Sequence, residues 1–217
     1  MYTVTALEQQ QRNKERVNVY LDGEFAFGLN IMDAAWLKKG QQLSDIEVTE
    51  LRDKDAVVRA VEVAINFLSY RPRSLNEIRQ KLNSKDIAQP IVDAALERLV
   101  ELGYADDEAF CRFWVENRNA FKPRSSMALR YELRQKGVDE AIVQMVLDDI
   151  VDDQASAVHA ARTKIRRWRG HTQDVFQQKI GAFLQRRGYG YGTIRDALHL
   201  LIEELETEDP TYFQNDA

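Results

Sequence analysis

Three stretches, RQKLNSKDI at 79–87, RYELRQKGV at 130–138 and GAFLQRRGY at 181–189, carry the pattern that decides how this chain folds. Leu82, Leu133 and Leu184 recur at an interval of 51, and so do Ile78, Leu129 and Ile180. Ile87, Val138 and Tyr189 keep the same interval just beyond. Two apolar residues four apart mark the buried face of a helix. Gly137 and Gly188 then stand where a helix closes through positive φ, and Asp86 takes that place in the first copy with some strain. A further helix follows each time, with Ile91, Ala95 and Leu99 inward in the first copy and Ile142, Val146 and Ile150 in the second. In the third, shifting by one residue gives Ile194, Leu198 and Ile202, as though Gly190 to Gly192 held an insertion. Repeats of this length are small helical modules that bury their faces only with help from their neighbours. Truncating Leu133 is expected to cost roughly 2–4 kcal/mol.

Outward from these stretches, the joining helices are expected at 107–119, with Phe110, Trp114 and Val115 inward, and at 154–168, with Ala157, Ala161, Ile165 and Trp168 on one side. On the latter, Arg162, Arg166 and Arg169 would share another face. The first two modules open alike: RPRS at 71–74 and KPRS at 122–125 each follow an aromatic, Tyr70 or Phe121. Pro72 stops one helix and suits the first turn of the next. Ahead of the modules, Val17, Val19 and Leu21 alternate with polar residues, as do Phe25, Phe27 and Leu29 after Asp22-Gly23, which reads as a hairpin with a tight turn. TVTAL at 3–7 offers a third strand. Ile31–Leu37 reads as a short helix closed by Gly40, and Ser44 to Glu47 as a capping box. The expected organisation is mainly α: three tandem three-helix repeats in an elongated array, behind a small N-terminal β-hairpin or three-stranded β element. The divisions are 1–30 for the β element, 31–54 for connecting helices, 55–105, 106–153 and 154–205 for the repeats, and 206–217 for an acidic flexible tail.

The composition, 44% apolar and 30% charged with four prolines, is that of a folded chain without a stretch of the roughly 18 apolar residues that a span requires. The N-terminus lacks a signal core, so a cytoplasmic location is expected. A lone cysteine, Cys111, excludes an internal disulfide and a multi-cysteine zinc site. Net charge is −5, but its distribution is uneven: 139–153 carry six acids and no base, 160–195 nine bases and one acid, 196–217 seven acids and no base. Such segregation steers a charged partner or holds off a like-charged one.

Candidate contacts follow from this pattern. Arg71, Arg73, Lys122 and Arg124 form a repeated basic corner at equivalent helix starts, offered to acidic side chains or phosphates. A cation there is opposed by the helix dipole. The competing assignment has these side chains bond across module junctions and close loop carbonyls. Ser74 and Ser125 are capping groups. Arg162, Lys164, Arg166, Arg167, Arg169, Lys179, Arg186, Arg187 and Arg195, with Tyr189 and Tyr191 beside them, make the densest cationic cluster, suited to a sugar–phosphate backbone or to an acidic protein face. Asp106 and Asp107 are best used as caps at a helix start. His159, His171 and His199 lack ligand spacing with Cys111, so no catalytic, metal or cofactor site is expected.

In four places the text resembles the RecX family, bacterial regulators of the RecA recombinase: LSYRPRSLNEIRQKL at 68–82, LGYADDEAFCRFWVENR at 102–118, YELRQKGVDEAIV at 131–143 and FLQRRGYGYGTIRDAL at 183–198. The likeness covers about 55–202, and the preceding hairpin looks like the N-terminal extension of many members. It implies three three-helix modules and a protein without catalysis, which binds the RecA filament in its groove and limits strand exchange, ATP hydrolysis and co-protease activity. The expected partner is therefore the RecA–single-stranded-DNA filament, with DNA touched through its phosphates, no membrane, and a monomeric protein. An architectural nucleic-acid binder without a recombinase partner is the alternative.

Overall fold

The computed structural model describes residues 1–214, and the chain divides into two compact units that meet in sequence at Ala105 and Asp106. In the first unit, β1 (Tyr2–Gln9), β2 (Arg16–Leu21), β3 (Glu24–Asn30) and β4 (Gln42–Leu43) form an antiparallel sheet in the order β3-β2-β1-β4. Asp22 and Gly23 turn the hairpin with φ of 50° and 92°, the twist that two-residue hairpins require. Val4, Val17, Val19, Leu21, Phe27 and Leu29 face inward, where α1 (Ile31–Ala34) and Val48 of α2 (Asp45–Leu68) complete a small core. The fourth strand went unseen in the sequence because two residues carry no period.

The capping box of Ser44 and Glu47 opens α2, which runs unbroken past the division expected between residues 54 and 55. No Gly or Pro interrupts it. Midway along, the buried Asp55 holds Arg16 of β2 at 2.9 Å and Arg59 at 3.0 Å, so one carboxylate ties sheet to helix. The far half of α2 packs with α3 (Leu75–Asn83) and α4 (Gln89–Glu101) as the first module.

The second unit holds α5 (Asp107–Phe121), α6 (Ser126–Gln135) and α7 (Glu140–Ile150), then α8 (Asp153–Arg162), a 3-10 turn (Ile165–Trp168), α9 (Gln173–Arg186) and α10 (Tyr191–Glu208). Ile78, Leu129, Ile180, Leu82, Leu133 and Leu184 are all fully buried, each pair in the core of its own module. Asp86, Gly137 and Gly188 close the preceding helices with φ of 57°, 73° and 93°. The fold is thus mainly α, with three three-helix modules behind a small sheet.

Three expectations need correction. The third module needs no one-residue shift: Ala95, Val146 and Ala197 keep the interval of 51 and are all fully buried. Gly190 is the residue ahead of α10, in a loop equal in length to the one before α7. The helix expected over 154–168 stops at Arg162; Thr163 turns its hydroxyl onto Ala160 O at 2.7 Å and the chain tightens into the 3-10 turn. Finally, of the tail expected at 206–217, residues to Glu208 continue α10, and Tyr212 is buried in the third core beside the partly buried Phe213. Aromatic rings supply the burial that an acidic composition concealed. Residues 215–217 lie outside the described residues.

Candidate interaction surface

Each module turns a corner between its first and second helices, and the second helix is opened by a hydroxyl. Ser74 accepts from Glu77 N at 3.1 Å, Ser125 from Ala128 N at 3.2 Å and Thr172 from Val175 N at 3.4 Å. These capping roles agree with the sequence reading of the two serines. Helix α9 begins one turn earlier than α6 relative to their shared leucine position. The third corner is therefore WRGHT at 168–172, the structural counterpart of YRPRS at 70–74 and FKPRS at 121–125. A fixed interval of 51 hid it. The recurring order of aromatic, base, turn residue, base and hydroxyl was the signal that could have found it.

Most corner cations are turned to their own module. Arg71 pairs with Glu77 at 2.9 Å and donates to Pro72 O at 2.8 Å. The Arg73 guanidinium lies 4.0 Å over the Phe67 ring, and desolvation, followed by the charge of Arg71, lowers its pKa. Arg124 meets Glu132 at 3.0 Å. The same carboxylate accepts from Trp114 Nε1 at 2.8 Å and Arg118 Nε at 2.7 Å. Lys122 is exposed and, among the described residues, has no acidic partner. Tyr70 and Phe121 beside these corners are 84% and 78% exposed.

The cationic cluster of the third module separates into distinct sets. Arg162 pairs with Glu204 at 2.7 Å, Arg169 with Asp209 at 2.5 Å and Arg195 with Asp196 at 2.8 Å. Arg162, Arg166 and Arg169 do not share a helical face, because α8 ends at the first of them. Arg195 stands apart, in a groove of about 1020 Å³ between α9 and α10 lined by Gly181, Tyr191, Ile194 and Leu198. Arg166 is exposed and unpaired among the described residues, and Arg167 lies 5.4 Å from the Trp168 ring.

What is left is a stripe along α9. Lys179, Phe183 and Arg186 stand at i, i+4 and i+7 on one side of the helix, and Arg187 follows as its C-cap. Arg187 and Lys164 lie 5.0 and 5.8 Å from the Phe183 ring. Arg187 also donates to Pro123 O at 3.1 Å, joining the stripe to Lys122 of the second corner. Lys179 and Arg186 are exposed, with no acid paired to them among the described residues. Uncompensated cations around a partly exposed ring suit phosphates, exposed bases or an acidic protein surface.

Two groups that the sequence singled out for their chemistry have structural surroundings instead. Asp106 caps α5, accepting from Glu108 N at 2.8 Å and Ala109 N at 3.2 Å. Cys111 is fully buried, and burial followed by the charges of Asp107, Asp106 and Glu108 pushes its thiol up to about 12. It is a packing residue rather than a nucleophile. Among the described residues no three His, Cys, Asp or Glu side chains converge as metal ligands, and no helix is long and apolar enough to cross a membrane.

Comparison with known proteins finds matches along most of the chain. Residues 2–44 match the regulatory protein RecX N-terminal domain, and 60–99, 106–147 and 152–198 match the first, second and third RecX three-helix domains. Regulatory protein RecX of Clostridium botulinum (strain Eklund 17B / Type B) is 30% identical over 204 residues, covering 91% of this chain and 95% of the relative. Those of Bacillus pumilus (strain SAFR-032) and Bacillus subtilis (strain 168) are 28% and 27% identical, over 94% and 96% of this chain and 80% of each relative. Among solved structures, a crystal structure of regulatory protein RecX superposes with a TM-score of 0.72 at 24% identity, covering 94% of this chain and all of that one. RecX from Lactobacillus salivarius gives 0.59, also at 24% identity, over 71% of this chain and 99% of that one.

Proposed function

Because the chain belongs to the RecX family of regulatory proteins, we propose that it works without catalysis, by binding the RecA–single-stranded-DNA filament and restraining its recombinase, ATPase and co-protease activities. The observation that carries this reading is the stripe of Lys179, Arg186 and Arg187 around Phe183, continued by Lys164 and Lys122. Arg187 and Lys164 have aromatic or carbonyl company, and Lys179, Arg186 and Lys122 are exposed with no acid paired to them among the described residues, where Arg162, Arg169 and Arg195 have carboxylates. A surface left cationic in a chain of net charge −5 is suited to an anionic polymer, and it favours encounter through long-range attraction. Repeated modules add weak contacts through effective concentration. A protein seated on such a filament obstructs the incoming duplex and the subunit movements coupled to ATP turnover.

The test is charge reversal at Lys179 and Arg186 together, both exposed and away from the cores. Filament binding by wild type and by K179E/R186E is compared at several salt concentrations. The expected result is weaker binding, with a log–log salt slope shallower by about 0.7 for each phosphate that is no longer neutralised. Unchanged affinity and slope would remove this face from the interface. Naked single-stranded DNA bound as tightly as the filament would instead favour an architectural nucleic-acid binder, for which the partly exposed Phe183 ring is the specific argument.

A further inference from the structure

The second and third corners are both occupied, by different parts of the chain. On the second sits the next module: Ser125 N donates to Arg187 O at 3.3 Å, and Gly188 comes so near that a Cβ would lie 2.7 Å from Ser125 Oγ. On the third sits the end of the chain itself. Gly170 N donates to Tyr212 O at 2.9 Å, and Gln214 N to His171 O at 3.1 Å. The Tyr212 hydroxyl donates to Ile165 O, and the rings of Tyr212 and Phe213 meet Phe176 edge-on, at 6.1 and 5.3 Å. At the head of this segment Asp209 takes Arg169. Its carboxylate is oriented by Thr211, whose backbone N–H and hydroxyl donate to it at 3.1 and 2.7 Å.

Arg169 is the counterpart of Lys122, which has no acid partner among the described residues. An acidic, aromatic strap therefore makes the difference between an open corner cation and a closed one. A carboxylate held 2.5 Å from a guanidinium occupies the place that a phosphate oxygen would take. The neighbouring Arg166 and Arg167 are exposed and have no acid on them among the described residues, so opening the strap would complete a cluster of three arginines beside Trp168.

We propose that Asp209–Gln214 is an autoinhibitory strap over a second phosphate-backbone site, formed by Arg169 with Arg166 and Arg167, and that single-stranded nucleic acid competes with the strap for it. This rests on the reading that the protein meets a DNA-bearing filament, and it adds a control to that encounter. The Arg169–Asp209 pair is partly solvent-accessible, with side chains 61% and 29% exposed. Such pairs contribute little to folding. The strap's hold on the fold comes from Tyr212, and its hold on the site from Asp209.

The experiment measures binding of an oligothymidylate, over a range of salt, by wild type, D209N, a chain ended after Glu208, and that shortened chain carrying R169A. Opening the strap is expected to tighten binding about tenfold at low salt and to steepen the log–log slope by about 0.7 for each additional phosphate neutralised. R169A is expected to cancel the gain. Equal affinity and slope in wild type, D209N and the shortened chain overturn the proposal, as does a gain that survives R169A. D209N keeps the Tyr212 ring and carries the test by itself if the shortened chain does not fold. Including K179E/R186E separates the two ideas. A strap gain with no effect of that pair removes the α9 face and leaves the strap; loss of binding in the pair with no gain from D209N does the reverse.

Discussion

Gly188 shows how much can rest on one hydrogen atom. Its φ of 93° is unfavourable for any residue with a Cβ, and that Cβ would fall 2.7 Å from Ser125 Oγ and 2.9 Å from the Ala128 Cβ. Ser125 cannot give way freely, because it caps α6 and is itself buried. Gly188→Ala therefore combines a left-handed strain of about 1–2 kcal/mol with overpacking of about 1–3 kcal/mol. Urea unfolding should show a loss of roughly 2–5 kcal/mol, whereas the same change at Gly170, whose Cβ would meet nothing within 4 Å, should show the strain alone. Asp86 bears a milder form of that strain at φ 57°, as its place in the repeat foretold.

At the scale of elements, the modules share cores and differ in how their corners are closed. Leu82, Leu133 and Leu184 stand at one position of α3, α6 and α9, all fully buried. Truncation of Leu133 to alanine should cost about 2–4 kcal/mol in chemical denaturation, with a similar loss at Leu184 in the same compact unit. Around those leucines the chemistry diverges. Arg73 in the first module rests on Phe67, while Arg124 in the second goes to Glu132, shared with Trp114 and Arg118. Position 81 is a lysine where its counterpart, 132, is a glutamate, and that exchange decides between cation–π and ion-pair closure. The sequence displayed the basic corner twice, but not its use, since the partners lie on the neighbouring helices. The bonding across module junctions weighed for Arg71, Arg73 and Arg124 is not what these side chains do: each closes inside its own module, whereas Arg187 donates across a junction to Pro123 O.

At the scale of the molecule, the chain is two compact units, the first containing the sheet and one module, the second containing two modules. Expressed separately, residues 1–105 and 106–217 should each unfold cooperatively, as followed by circular dichroism. Each should bind the filament more weakly than the whole chain, by a factor of about 10² if contacts add through effective concentration. Full-strength binding by either half would show that one unit suffices.

Sequence alone determined the module count, the buried leucines, the helix-closing residues and the hairpin, and it did so because these depend on local rules. A residue's period along its own helix states which face is apolar, and positive φ is written in Gly or Asp. The tertiary structure alone decided which cations are free. Arg162 and Glu204, or Arg169 and Asp209, are some forty residues apart in the chain and become partners only when α8, α10 and the final segment fold together. Charge carries no period, so whether a cation is neutralised is a matter of distance in space, which composition does not express.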